Sequence, residues 1–287
     1  MFKNLSPGAI GIRGATLADS IELAKKSGFK GIDFSIREAA ELADLRGVDY
    51  VKALFADAGV LPGQWGLPVV WNREQEQWEQ DLQQLPALAA LGRELGCTRT
   101  ATWCTSGSND RDFDENWQWH IERFRPIAQV LADEGCSLGI EFLGPKTIRD
   151  RFKYEFIYTL EGMMDLAAAI GTGNVGLLLD AWHLYTGGGS IDDLDKITAK
   201  DVVVVHVNDA PEGVALEDQV DNVRRLPMET GVIDLPGFMK KLVAMGYDGP
   251  VTPEPFSARI NAIEDPLEAA RFAAEYMDKL WRAAGLE

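Results

Sequence analysis

Four residues in the second half of the chain have the types and the placement for metal-assisted proton chemistry. Glu141 follows the apolar run SLGI, Asp180 closes GLLL, His206 follows VVVV, and Glu254 follows VTP. Each polar group interrupts or ends a stretch that otherwise reads as buried strand. Three carboxylates gathered in one place would repel one another and lose hydration at high cost. A divalent cation offsets both penalties. An oxygen-rich set with one nitrogen favours Mn²⁺ or Mg²⁺, with Co²⁺ or Zn²⁺ also accommodated. All four ligands bind deprotonated, so affinity is expected to fall at low pH. Taken singly, an acid after a strand reads equally as a helix cap or a solvated charge. The conjunction on four successive strands favours a shared site.

An ion that chelates a carbonyl and its neighbouring hydroxyl polarises the carbonyl and acidifies the adjacent C–H. A base must then remove that proton and an acid must return one. Glu141 and Glu254 are the candidates, each able to give one oxygen to the ion and the other to the proton. Return to the opposite face yields an epimer. Return to the neighbouring carbon through an enediol exchanges aldose and ketose, and loss of a β-hydroxyl gives a dehydrated product. The ligand set leaves these three open. His183, three residues after Asp180, is a candidate donor to a substrate oxygen, with a satisfied histidine in the following turn as the plainer alternative. Lys146 reads equally as a stabiliser of an enediolate or as a solvated lysine. Trp65, Trp103 and Trp182 fall at or just past strand ends, where an aromatic face covers a sugar's C–H face or fills the core. Of these, Trp103 is assigned to the substrate. His120, within NWQWHIERF, reads as a packing or surface residue. Cys104 closes a strand and could line the pocket, but no histidine partner is evident in sequence.

Such a quartet needs a scaffold that aims four strand ends at one place. Eight short apolar runs alternate with amphipathic helical stretches. They lie at 8–13, 31–36, 63–70, 99–104, 137–143, 174–180, 202–209 and 249–256. The runs are nearly continuous rather than alternating, as strands covered on both faces are. Helical stretches such as LPGFMKKLVAMG keep an i, i+3, i+4 apolar rhythm and stop at a glycine. Eight such repeats predict a single-domain (β/α)₈ barrel over 1–287, with an open doubly wound sheet as runner-up. No GxGxxG follows the first run and no GxxxxGK[ST] occurs, which removes the main support for dinucleotide and P-loop variants. The longest irregular stretch, 208–233, is expected to be a functional loop.

Composition narrows the function classes. Of 287 residues, 46% are hydrophobic and 25% charged, which fits a folded globular chain. The net charge of −17 argues against a nucleic-acid backbone or an anionic membrane surface as partner. Three cysteines without CxxC spacing fit a reducing compartment. The opening MFKNLSPGAIG lacks a signal-peptide apolar run and no run approaches bilayer length, so a cytoplasmic protein is expected.

The motifs IEFLGPK (140–146), LLLDAWHLY (177–185), VVHVNDAP (204–211), RRLPMETGVIDL (224–235) and GYDGPVTPEPF (246–256) resemble those of the xylose-isomerase-like sugar phosphate isomerase/epimerase superfamily of TIM barrels. The likeness spans nearly the whole chain. It implies one divalent metal held by Glu141, Asp180, His206 and Glu254, with Asp180 and His183 as a DxxH pair. It also implies that Arg225, of the adjacent Arg224 and Arg225, reaches the substrate, and that the protein is a homodimer or homotetramer. Similar proteins often read LPGxG where this chain reads LPMETG (226–231). The expected function is a metal-dependent isomerase or epimerase of a small sugar, keto-sugar or cyclitol. The alternative is a lyase of the inosose or dehydroshikimate dehydratase type. An apurinic-endonuclease-type nuclease on the same barrel is disfavoured by three histidines and the net charge of −17. A sugar-binding barrel without catalysis is disfavoured by two intact acid/base glutamates.

Overall fold

The computed structural model of the chain describes residues 1–286. Eight parallel strands close into a barrel: β1 (Phe2–Leu5), β2 (Gly31–Phe34), β3 (Leu61–Gly66), β4 (Arg99–Cys104), β5 (Ser137–Phe142), β6 (Val175–Asp180), β7 (Val202–Val207) and β8 (Pro250–Pro253). They neighbour one another in chain order, and β1 pairs with both β2 and β8 to complete the ring. This is the expected (β/α)₈ architecture.

The first strand departs from expectation. Residues 8–10 form a 3₁₀ turn, and the strand is Phe2–Leu5. Pro7, which has no N–H for a ladder, leads into that turn, and Gly11 leaves it with φ +84°. FKNL hides from hydrophobic patterning because Lys3 pairs with Asp278 outside while Asn4 is fully buried. The other strands fall on their predicted runs with ends trimmed by a few residues, except that β3, expected at 63–70, starts earlier, at Leu61, and ends at Gly66. Residue 36, expected in a strand, instead opens a helix, Ile36–Arg46, capped by the Ser35 side chain.

Helices cover the outside of the barrel. Leu17–Ser27 and Phe113–Asp133 each begin with a reciprocal capping box, Thr16 with Asp19 and Asp112 with Glu115. Leu235–Met245 starts at Asp234, buries Leu235, Phe238, Met239 and Leu242, and stops at Gly246. His120 sits in Phe113–Asp133, fully buried with its ring stacked on Phe156 at 4.7 Å. Among the described residues, no helix is long and apolar enough to cross a membrane.

Strand alternation sends one set of side chains outward to the helices and the other into the barrel. Ala101, Leu178, Val203 and Val204 form a small apolar plug separate from the main core. Leu178 and Val204 stand two residues before Asp180 and His206, so the plug floors the barrel mouth one layer below them. Between β6 and β7 the register shifts, from Leu177 opposite Val202 to Leu178 opposite Val204, and this sets Asp180 opposite His206.

Candidate metal centre

Glu141, Asp180 and His206 come from the C-terminal ends of β5, β6 and β7, and Glu254 from the residue after β8. One donor atom from each lies within 4.8 Å of all the others. Donors about 2.0–2.2 Å from a shared ion stand no more than about 4.4 Å apart, so only a small inward movement separates these atoms from coordination. His206 Nδ1 approaches Glu254 Oε2 at 3.4 Å and Glu141 Oε1 at 3.8 Å. Glu141 Oε1 and both ring nitrogens of His206 are buried without a hydrogen-bond partner among the described residues. Buried polar atoms are otherwise nearly always satisfied. Two of the orphaned atoms, Glu141 Oε1 and His206 Nδ1, face each other at 3.8 Å and fit a shared divalent ion, and the oxygen-rich donor set suits it.

The electrostatics separate the two glutamates. Burial, then repulsion from Glu254 and Asp180, raises the Glu141 carboxyl well above its ordinary value. Burial pushes Glu254 the same way, but His206 and Arg224 beside it outweigh that and hold it below the ordinary value. Burial alone would lower His206, yet Glu254, Glu141 and Asp180 raise it to about 10. A proton on His206 thus occupies the charge balance that an ion would fill.

Arg224 is the guanidinium that reaches this centre. It is buried, with Nη1 donating to Asp180 Oδ2 at 2.7 Å and Glu254 Oε2 at 3.0 Å, and Nη2 to Asp221 Oδ1 at 2.8 Å. Its Cζ lies 4.6 Å from the centre of the Trp182 ring and 5.0 Å from that of Phe256. Phe256 has φ +39°, a backbone state disfavoured for an aromatic residue. Arg225, expected to reach the substrate, instead directs Nη1 to the carbonyl of Arg224 at 3.1 Å. Its backbone exchanges two hydrogen bonds with Asp209, at 2.9 and 2.8 Å. Asp209 is fully buried just past β7 and accepts from the N–H groups of Ala210, Thr230, Gly231 and Ile233 at 2.9, 3.0, 2.6 and 3.1 Å. This strap fixes the segment that presents Arg224. Within it Met228 has φ +66°, where a glycine of the LPGxG form would sit without strain; a methionine there costs about 1 kcal/mol.

The remaining predicted residues divide. Asp180 is fully buried, caps the helix Ala181–Thr186 through Trp182 N at 2.8 Å, and accepts from Asn208 Nδ2 at 3.3 Å. His183, in that helix, sits at the centre: Nε2 is 3.0 Å from Arg224 Nη2 and 3.9 Å from Glu141 Oε1. Burial, then the charge of Arg224, lowers its pKa to about 3, so the ring is neutral. Gly144 N donates to its Nδ1 at 3.2 Å, and a Cβ at residue 144 would stand 2.2 Å from the His183 carbonyl. A neutral imidazole has one acceptor nitrogen, so the Gly144 and Arg224 contacts compete. Trp103 stands opposite Glu141 in the β4–β5 register, is 41% exposed, and meets Trp71 edge-on at 5.4 Å. Lys146 is exposed and paired with Asp150. Trp65 is buried, donating to the Cys97 carbonyl at 3.1 Å. Burial raises the Cys104 thiol, which stays protonated. Asn208, Asp209, Asp221 and Arg224 were not singled out by sequence reasoning. All lie in the irregular 208–233 stretch, where no periodicity separates a bonded side chain from a solvated one.

The family model described as xylose isomerase-like TIM barrel matches residues 21–280. An inosose isomerase from Bacillus velezensis is 21% identical over 276 residues, covering 92% of each chain. Among solved structures, a xylose isomerase domain protein from Alicyclobacillus acidocaldarius superposes with a TM-score of 0.87 at 29% identity over 99% of both chains. The IOLI protein with a bound zinc atom superposes with a TM-score of 0.78 at 18% identity, over 99% of this chain and 98% of that one. With the family model matching from residue 21 to residue 280, the chain belongs to the xylose isomerase-like TIM barrel family.

Proposed function

We propose that the protein is a divalent-metal-dependent isomerase or epimerase that moves a proton on the carbon next to a carbonyl in a small sugar, keto-sugar or cyclitol. The observation that carries this reading is the convergence of four strand-end ligands, with Glu141 Oε1 and His206 Nδ1 unpartnered among them. Glu141, Asp180, His206 and Glu254 would hold the ion, which supplies polarisation of a substrate carbonyl and acidity of the neighbouring C–H. Glu254, kept ionised beside Arg224, is suited to accept a proton through the oxygen it does not give to the ion, and Glu141 is the second carboxylate able to return one in the same way. Arg224 supplies positive charge near the oxygen on which charge develops, and His183, when its Nδ1 accepts from Gly144, presents Nε2–H as a donor. Trp103, open at the mouth beside Glu141, offers an apolar face to the substrate's C–H groups. The inosose isomerase relative and the zinc-bound structural neighbour support both substrate class and metal.

The test is proton NMR in D₂O with Mn²⁺-loaded protein and a panel of inososes and ketohexoses, alongside elemental analysis of the purified protein. Deuterium at the carbon next to the carbonyl, with an isomeric product, is the expected result. Loss of water in place of isomerisation would assign a lyase. Absence of exchange across the panel, or a protein that takes up no divalent metal, would overturn the reading.

A further inference from the structure

The side of the barrel away from the quartet carries a second polar construction that the proton transfer does not use. Asn4 of β1, Asp33 of β2, Gln64 of β3 and Thr252 of β8 form one bonded group. Asn4 Nδ2 donates to Asp33 Oδ1 at 2.5 Å and to Thr252 Oγ1 at 2.9 Å, and Gln64 Nε2 donates to Asp33 Oδ2 at 3.0 Å. The backbone is shaped to assemble it. Between β2 and β3 the register shifts from Ile32 opposite Pro62 to Asp33 opposite Gln64, leaving Gly63 as the extra residue. A Cβ at Gly63 would stand 2.0 Å from Asn4 Oδ1, so this bulge and the Asn4 amide fit only together. Replacing buried charged groups by well-packed apolar residues is often neutral or stabilising, so stability alone does not account for the group. Asn4 Oδ1 and Gln64 Oε1 are buried without partners among the described residues.

Asp33 opens into a cavity of about 480 Å³ formed by the segments after β1, β2 and β3, with Ser6, Ser35, Gly66 and Pro68 on its wall. That volume suits a small ligand. The bonded group links the cavity wall to the metal centre: Thr252, which holds Asn4, stands opposite His206 in the β7–β8 register. Arg37 is the one cation lining it among the described residues, and Gln84, the Pro68 carbonyl and Asp81 occupy its guanidinium. Glu38 lines the same wall. On the metal side Glu141, Asp180, Glu254 and Asp221 face the single guanidinium of Arg224. Among these groups the carboxylates of Asp33, Glu38, Glu141, Asp180, Asp221 and Glu254 outnumber the charges of Arg37, Arg224 and a divalent ion together.

We propose that Asp33 is a specificity-determining residue: it accepts hydrogen bonds from hydroxyl groups at the end of the substrate away from the metal, and the site takes an uncharged polyol while rejecting phosphorylated and carboxylated ones. This rests on the sugar or cyclitol reading of the metal centre. Like charges brought together in a partly desolvated site repel by several kcal/mol, which sets the direction of the discrimination.

The test uses Mn²⁺-loaded protein titrated calorimetrically with myo-inositol, myo-inositol 1-phosphate and shikimate. Myo-inositol is expected to bind, and the two anions to bind at least about tenfold more weakly. Asp33→Asn keeps the shape and removes the charge; it is expected to weaken myo-inositol by roughly tenfold, to narrow the discrimination, and to leave Mn²⁺ affinity unchanged. Equal or tighter binding of either anion, no binding of myo-inositol, or an Asp33→Asn protein with unchanged affinities would overturn the proposal. Should Asp33→Asn not fold, the wild-type comparison decides alone. Asp33-dependent binding of myo-inositol without solvent exchange on the ketose panel would remove the isomerase and leave this inference. Exchange on neutral ketoses with a KM indifferent to Asp33→Asn would do the reverse.

Discussion

Glu254 and Glu141 have the same chemistry and opposite surroundings. Arg224 and His206 stand against Glu254, while Glu141 meets burial and two neighbouring carboxylates first. Glu254→Gln keeps an oxygen for the ion and removes the proton acceptor, so solvent exchange is expected to drop by roughly 10²-fold or more with metal content retained. Near-normal exchange at full metal occupancy would take Glu254 out of that role. His206→Ala removes the one nitrogen donor and is expected to lower Mn²⁺ affinity by at least about tenfold, read by equilibrium dialysis against a chelator. Unchanged affinity would mean the ion, if bound, sits elsewhere. These four residues were legible because each breaks an apolar run at a strand end. Arg224 was not separable from Arg225, because adjacent arginines in a loop look alike until Asp209 fixes which one turns inward.

At the scale of elements, the strap at Asp209 governs what the loop presents. Four backbone N–H groups converge on one buried carboxylate. Asp209→Ala leaves them without an acceptor and is expected to cost about 3–5 kcal/mol in urea melts, with faster proteolytic cleavage between residues 211 and 233. A loss under about 1 kcal/mol would show that the loop is held by other contacts. The eight-fold repeat of run and helix was readable because seven strands are apolar enough to stand out. β1 was misplaced because Asn4 faces inward as a polar group and Lys3 outward as an ion pair. The bulges at Gly63 and Val203 were not readable either: they depend on how a strand meets its neighbour, which no single run encodes.

For the whole molecule, the proton balance of the mouth ties folding to metal. The metal-free fold raises His206 from 6.5 to about 10 and raises Glu141 well above 4.5, so between those limits it binds more protons than the unfolded chain. That stabilisation is complete below the unfolded values and is lost as pH climbs toward about 10. Metal-stripped protein is therefore expected to lose Tm steadily from pH 6.5 upward. Saturating Mn²⁺, worth about 2.7 kcal/mol at one hundred times its Kd, should restore more Tm at pH 8 than at pH 6. A metal-induced shift in Tm that ignores pH would contradict the ligand assignment.

The ring divides its labour by strand number. The ion's donors all issue from β5 to β8, whereas the Asp33 wall is raised on the segments after β1 to β3. A hybrid that grafts residues 1–98 of a relative onto the rest of this chain should therefore inherit that relative's preference at the far end of the substrate, while whatever divalent ion this chain takes up should stay with the part it keeps.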